Sequence, residues 1–313
     1  MLKRLLILIA LCLSVLPASL AQTVEEVLKQ AEELDDRKEY LDALVLVERA
    51  IDKYPDNPRL RLRQAHLNDA RGERLLAFRN VFEAQALFPD NDTILNYLGI
   101  LYEHSGLLDS ALNTYNALLA RSRTRLDSFH ANINIGSVYN YMQRYPKAIA
   151  HYEAMRKYYG DSLAVLANLA QSYADNGQKD KAAGMMKHII SIDPGFEGAY
   201  NNLGLLYTEM GKYPDADTVF RSAIRRTPND ALLLNNYGYL LYKMKDYRKA
   251  LLNINQSISL YTSNPYAYRN RALVYLDMKM MKEACADLKA SSELGFKIYY
   301  GNEVEALIST HCK

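Results

Sequence analysis

The sequence predicts an all-α, right-handed α-solenoid: a superhelix of eight helix-turn-helix units followed by a C-terminal capping helix. Two columns of small residues and the pattern of apolar residues around them predict it. Ala43, Ala77, Ala111, Ala148, Ala182, Ala216, Ala250 and Ala284 follow one another at intervals of 34 residues, except for the 37 between Ala111 and Ala148. Twelve residues before each stands Gly or Ala: Ala31, Ala65, Gly99, Gly136, Ala170, Gly204, Gly238 and Ala272. Self-similarity at a fixed period is the mark of stacked repeats. A small residue at two fixed points of each unit marks where two helices cross with their backbones close together.

Residues 1–21 stand apart from this pattern. Lys3 and Arg4 precede an apolar run from Leu5 to Leu16, and Ser19-Leu20-Ala21 offers small residues for cleavage. This reads as a secretory signal peptide, too short in its apolar part to span a bilayer comfortably. No later segment is long and apolar enough to cross a membrane, so no integral membrane segment is expected after cleavage.

The repeats begin at residues 24, 58, 92, 129, 163, 197, 231 and 265. The sixth shows their anatomy. Its first helix runs from Ala199 to Tyr207, Met210-Gly211-Lys212-Tyr213-Pro214 forms the turn, and Ala216, Phe220 and Ala223 mark the apolar face of the second helix. Gly near the end of one helix and Pro in the first turn of the next is the expected asymmetry. Pro228 closes the unit.

Tyr200, Leu203, Gly204, Tyr207, Ala216, Phe220, Ala223 and Pro228 stand where the tetratricopeptide repeat family places its large and small consensus residues. The chain resembles that family over about nine-tenths of its length. The likeness weakens at both ends: Leu34 and Asn68 replace the Tyr of later repeats, and Thr262 and Phe296 replace the closing Pro. The three-residue insertion within Arg121–Ser128 divides the repeats. The expected organisation is residues 22–125 for repeats one to three, 126–298 for repeats four to eight, and 299–313 for the capping helix.

Lys and Arg number 38 against 36 Asp and Glu, and Lys3 and Arg4 leave with the leader, so the mature chain is nominally neutral. That balance gives no support for nucleic-acid binding. Two cysteines remain after the leader, Cys285 and Cys312. An even count in an exported chain suggests a disulfide between the eighth repeat and the tail Glu303-Val304-Glu305-Ala306-Leu307-Ile308, with a pair of buried thiols as the alternative. The sequence holds no phosphate-cradling Gly-rich loop, no Cys-x-x-Cys and no paired histidines at metal-binding spacing, and its six histidines are scattered. A non-enzymatic protein with no cofactor and no metal is expected.

The first helices of such a stack line its concave face, a common binding surface in solenoids. Asn134, Asn168, Asn202, Asn236 and Asn270 recur there, each two positions before the small crossing residue. An Asn side chain offers both an acceptor and donors, which suits the backbone of an extended peptide. The column resembles the asparagine ladder in the tetratricopeptide superhelix of the O-linked N-acetylglucosamine transferase, which implies sequence-tolerant peptide binding. The competing role is hydrogen bonding between helices. Asn201, Asn235, Tyr239, Tyr242, Tyr266 and Arg269 are the candidate specificity residues, because Tyr and Arg are enriched at binding hot spots. The family's clamp for C-terminal carboxylates needs Lys and Arg at positions that here hold Ile133, Ala167, Ala164 and Gly198. Repeats one to three lack the ladder and carry Lys29, Arg63 and Tyr97 in its place.

The expected function is a scaffold in the bacterial periplasm that holds an extended segment of a partner protein. The alternative is a structural subunit of an envelope secretion or assembly complex, bound through convex or end surfaces.

Overall fold

The structure, a computed structural model, describes residues 22–297 and 301–312. The leader at 1–21 lies outside the described residues, as does the expected boundary between the last repeat and the cap at 298/299. Among the described residues every regular element is an α-helix. The chain divides into two compact units between Met142 and Gln143.

The first unit contains α1 (Val24–Asp36), α2 (Tyr40–Lys53), α3 (Pro58–Ala70), α4 (Arg74–Leu87), α5 (Asp92–His104), α6 (Leu108–Arg121) and α7 (Arg125–Tyr141). Helices pack in consecutive pairs, α1 with α2, α3 with α4 and α5 with α6, and α7 packs on α6. The second unit contains α8 (Tyr145–Tyr159), α9 (Leu163–Asp175), α10 (Lys179–Ile192), α11 (Glu197–Glu209), α12 (Tyr213–Arg226), α13 (Ala231–Lys243), α14 (Tyr247–Leu260), α15 (Pro265–Asp277), α16 (Met281–Glu293) and α17 (Glu303–His311). Here α8 packs on α9, four pairs follow from α9/α10 to α15/α16, and α17 lies against α16. No helix of the described residues is long and apolar enough to cross a membrane.

Local sequence sets the helix ends. Thr23 and Thr124 form capping boxes with Glu26 and Asp127. Asn57, Asn91, Asp230 and Asn264 accept backbone N–H groups of the first turn of α3, α5, α13 and α15. Each satisfies a donor that the helix cannot satisfy itself. The turn inside each repeat contains one residue with positive φ: Lys38, Gly72, Gly106, Gln143, Gly177, Gly211, Lys245 and Lys279. A left-handed residue is what ends a helix abruptly enough to return the chain antiparallel.

Both small-residue columns are buried. A Cβ on Gly99 would lie 2.5 Å from the Tyr115 ring, on Gly204 2.6 Å from the Phe220 ring, and on Gly238 2.5 Å from Ile254. Where the column holds Ala, the side chain sixteen residues later is not aromatic. Val47 shares a core with Ala31, Val81 with Ala65, and Leu288 with Ala272.

The C-terminal helix closes the second unit. Val304 is buried with Ala272, Leu288 and Phe296, and Leu307 and Ile308 pack against them. The Cα atoms of Cys285 and Cys312 lie 5.6 Å apart with their sulfurs at bonding distance.

Two stability effects are expected. Gly204→Ala forces the Phe220 ring out of place and costs about 1–3 kcal/mol in urea unfolding, and Phe220→Leu in the same chain recovers part of it. Lys279→Gly removes the steric cost of a left-handed non-glycine residue at an exposed turn and stabilises the protein by about 0.5–1 kcal/mol in the same assay.

Candidate peptide-binding face

From the third repeat on, the first helices carry Asn at the ladder position, at the position before it, or at both, and the structure couples several of them. In the first unit, Asn134 on α7 donates from Nδ2 to Oδ1 of Asn96 on α5 at 2.9 Å. In the second, Asn236 on α13 donates to Asn201 on α11 at 2.8 Å, and Asn270 on α15 donates to Asn235 on α13 at 3.0 Å. The donor sits at the ladder position, and the acceptor sits one position earlier in the preceding repeat. The sequence separation is 35 in the second unit and 38 in the first, where the three-residue insertion adds to it.

These bonds join into one network in the second unit. Arg269 donates to Asn270 Oδ1 at 2.8 Å, and Asn235 donates to Asn236 Oδ1 at 3.1 Å. A hydrogen-bonded line thus runs from Arg269 through Asn270, Asn235 and Asn236 to Asn201. Its far end is ionic. Arg269 forks onto both carboxylate oxygens of Glu303 on α17, with one contact at 3.2 Å. Burial alone would lower the Arg269 pKa, but Glu303 and the nearby Tyr266 and Tyr239 raise it above the usual guanidinium value.

This accounts for several predicted site residues. Asn270 is 0%, Asn235 2% and Arg269 8% exposed. Their polar atoms serve the seam between α13, α15 and α17, which leaves them little surface for a ligand. Tyr266 stacks on Phe296, ring centroids 5.6 Å apart, inside the core under the cap. Tyr239 stays half-buried at the edge of this seam, 5.6 Å from the Arg269 guanidinium and 5.7 Å from the Lys243 ammonium. Tyr242 lies 6.0 Å from Tyr239, and burial, aided by the charge of Asp277, pushes its hydroxyl pKa up.

Asn168 and Asn202 differ from the other three. Thirty-five positions before them stand Ile133 and Ala167, which have no side-chain acceptor. Asn168 therefore donates to the Ala164 carbonyl of its own helix at 3.0 Å. Asn202 is exposed and makes no side-chain hydrogen bond within the described residues. It lines a cleft of about 210 Å³ between α9 and α11, together with Gln171, Asp175, Leu205 and Glu209. A second opening of about 590 Å³ shares Glu209 and runs along the turn side of the repeats to Tyr239 and Lys243.

Across repeats one to three, Asp side chains paired with Arg and His take the place of the ladder. Asp35 meets Arg63 at 3.2 Å and His66 at 3.0 Å, and Asp69 meets His104 at 2.8 Å. Each bond joins a repeat to the next. Residue-by-residue reading missed these pairs; the signal was Asp at the twelfth position of both the first and second repeats.

Helix pairs stacked at a fixed period, with a polar seam stitching their first helices, define a helix-pair repeat protein. Residues 141–204 and 201–265 each match a tetratricopeptide repeat profile, so the chain is built of tetratricopeptide repeats over that span. It is 30% identical over 119 residues to the type IV pilus assembly protein PilF of Pseudomonas aeruginosa, covering 37% of this chain and 47% of that one. It is 25% identical over 147 residues to the protein FlbA of Caulobacter vibrioides, covering 47% of this chain and 25% of that one. The chain thus spans less than half the length of these two relatives. A tetratricopeptide repeat protein from Parabacteroides merdae has the same fold, with a TM-score of 0.52 and 19% identity over 92% of this chain and 98% of that one.

The stitched asparagines are expected to act on stability. Asn235→Ala leaves the Asn270 amide buried without its acceptor and should cost about 1–3 kcal/mol. Urea unfolding with limited proteolysis should show the loss at the C-terminal end of the second unit.

Proposed function

We propose that the protein is a non-enzymatic scaffold that holds an extended segment of a partner protein against α9 and α11. The observation that carries this reading is the break in the asparagine seam. Asn168 and Asn202 hold the ladder position without the inter-repeat bond made by Asn134, Asn236 and Asn270. Their amides are available to a peptide backbone, which offers alternating N–H and C=O groups whatever its sequence. Asn201, Tyr239 and Tyr242 flank this surface and supply contacts to side chains of the bound segment.

Export to the periplasm is part of the proposal and rests on the leader pattern of residues 1–21. In an oxidising compartment Cys285 and Cys312 form a disulfide that ties the cap to the eighth repeat. PilF, by its name a pilus assembly protein, makes an envelope assembly role a natural setting. A second reading has its own observation: Leu41 on α2, and Leu75 and Phe82 on α4, are exposed apolar side chains on second helices of the first unit. They would suit a structural subunit bound through its convex surface.

One screen separates the two. A random linear-peptide library panned against the mature protein should enrich ligands whose affinity falls about five- to a hundredfold in the Asn168→Ala/Asn202→Ala double variant. Circular dichroism and melting temperature should stay close to wild type, because both side chains lie outside the seam. Failure to enrich any linear ligand would favour the convex-surface reading.

A further inference from the structure

α9 and α11 each carry three levels along one face, and of the six residues that make them all but Asn168 line the cleft between the two helices. Asn168, Gln171 and Asp175 follow at i, i+3 and i+7 on α9, and Asn202, Leu205 and Glu209 do the same on α11. Residues so spaced share one helix face. The two helices therefore present amides at one level, a mixed middle level and carboxylates at the third. Met186 of α10, Leu205 and Leu206 give the cleft an apolar floor.

The carboxylate level sets two acids against one cation. The Asp175 carboxylate accepts a hydrogen bond from neutral Gln171 at 2.9 Å and has no cationic partner within the described residues. Glu209 meets only Lys179, at 2.9 Å, in a pair open to solvent. Exposed pairs of this kind contribute little and exchange readily. Both carboxylates also stand at the last residue of their helices. There the partial negative charge of the helix end disfavours an anion and favours a cation. Among the described residues, Lys179 is the cation that reaches this level, through Glu209.

We propose that the segment held here carries a basic side chain, Lys or Arg, which lies between Asp175 and Glu209. This rests on the groove reading and adds the chemistry of the partner. Seven residues of helix rise about 10.5 Å, the length of about three residues of extended chain. The basic residue therefore stands about three positions from the residue whose backbone meets Asn168 and Asn202. An apolar side chain between them occupies the floor over Leu205 and Leu206. The long aliphatic stem of Lys or Arg suits this geometry, since it lies along apolar surface while its charge reaches the acids.

The test uses the peptides enriched from the random linear library on the intact mature protein. The enriched sequences should share a Lys or Arg following or preceding an apolar residue at short fixed spacing. The strongest Lys-containing peptide and its norleucine analogue, which keeps the stem and removes the charge, are then compared by fluorescence anisotropy. The Lys peptide should bind wild type about tenfold more tightly, and the advantage should shrink as salt is raised. In the Asp175→Asn/Glu209→Gln variant the two peptides should bind equally. Enriched peptides without a basic residue, or equal binding of the two peptides to wild type, would overturn this inference. If Asn168→Ala/Asn202→Ala still weakens those peptides, the groove reading survives its loss. Binding indifferent to both double variants, or no enrichment at all, would overturn both.

Discussion

The fold depends on one contact made repeatedly within each unit: the small residue of a first helix against the side chain sixteen positions later on the second. The pairings are Ala31 with Val47, Ala65 with Val81 and Gly99 with Tyr115 in the first unit, and Gly204 with Phe220, Gly238 with Ile254 and Ala272 with Leu288 in the second. Glycine accompanies each aromatic and alanine each of the smaller or flexible side chains, with Ile254 the one aliphatic set against glycine. Interiors are packed too densely to tolerate a mismatch, so volume removed on one helix is replaced on the other. The two helices of a pair can therefore cross closely while the residue types change. Where the first helices also lie close, short polar side chains bridge them.

The asparagine seam is the consequence of that closeness. An amide can reach the next helix only if the backbones approach, and it finds a partner only if the facing position carries an acceptor. Asn96, Asn201 and Asn235 supply it; Ile133 and Ala167 do not. A column of identical residues thus divides into amides that hold repeats together and amides that face solvent. The Glu303–Arg269 fork extends the seam to α17, so the terminal helix is attached by an ionic contact as well as by its apolar face.

The repeat period, the crossing residues and the cap were legible in the sequence because each is a local pattern repeated many times. Helix pairing followed from them. Less legible was what a given column residue touches. Asn202 and Asn236 occupy the same register, yet one is free and the other bonded, and the difference lies in Ala167 against Asn201, a full repeat away. Arg269 read as a surface determinant because its register is that of a groove residue. The docking of α17 buries it, and a contact closed over 34 residues by a chain-terminal helix leaves no periodic trace. Tyr266 is likewise drawn toward the cap, stacked on Phe296 at the end of the eighth repeat.

Stitching and recognition compete for the same amide. For a ligand to use Asn270 it would have to break the bond to Asn235 in a buried seam, leaving a polar atom unsatisfied at about 1–3 kcal/mol. The new bond returns about 0.5–1.5 kcal/mol. The exchange is unfavourable wherever the seam is complete. At Asn202 there is nothing to break, so the whole gain goes to the ligand. The repeats that forgo the stitch are held by other means: Leu166 of α9, Ile189 of α10 and Ala199 of α11 form one buried cluster across the unstitched junction, and the Lys179–Glu209 and Lys212–Asp180 pairs cross it at the surface, each at 2.9 Å. The core and the surface pairs there supply the cohesion that buried amide bonds supply elsewhere, and the Asn202 amide is left uncommitted.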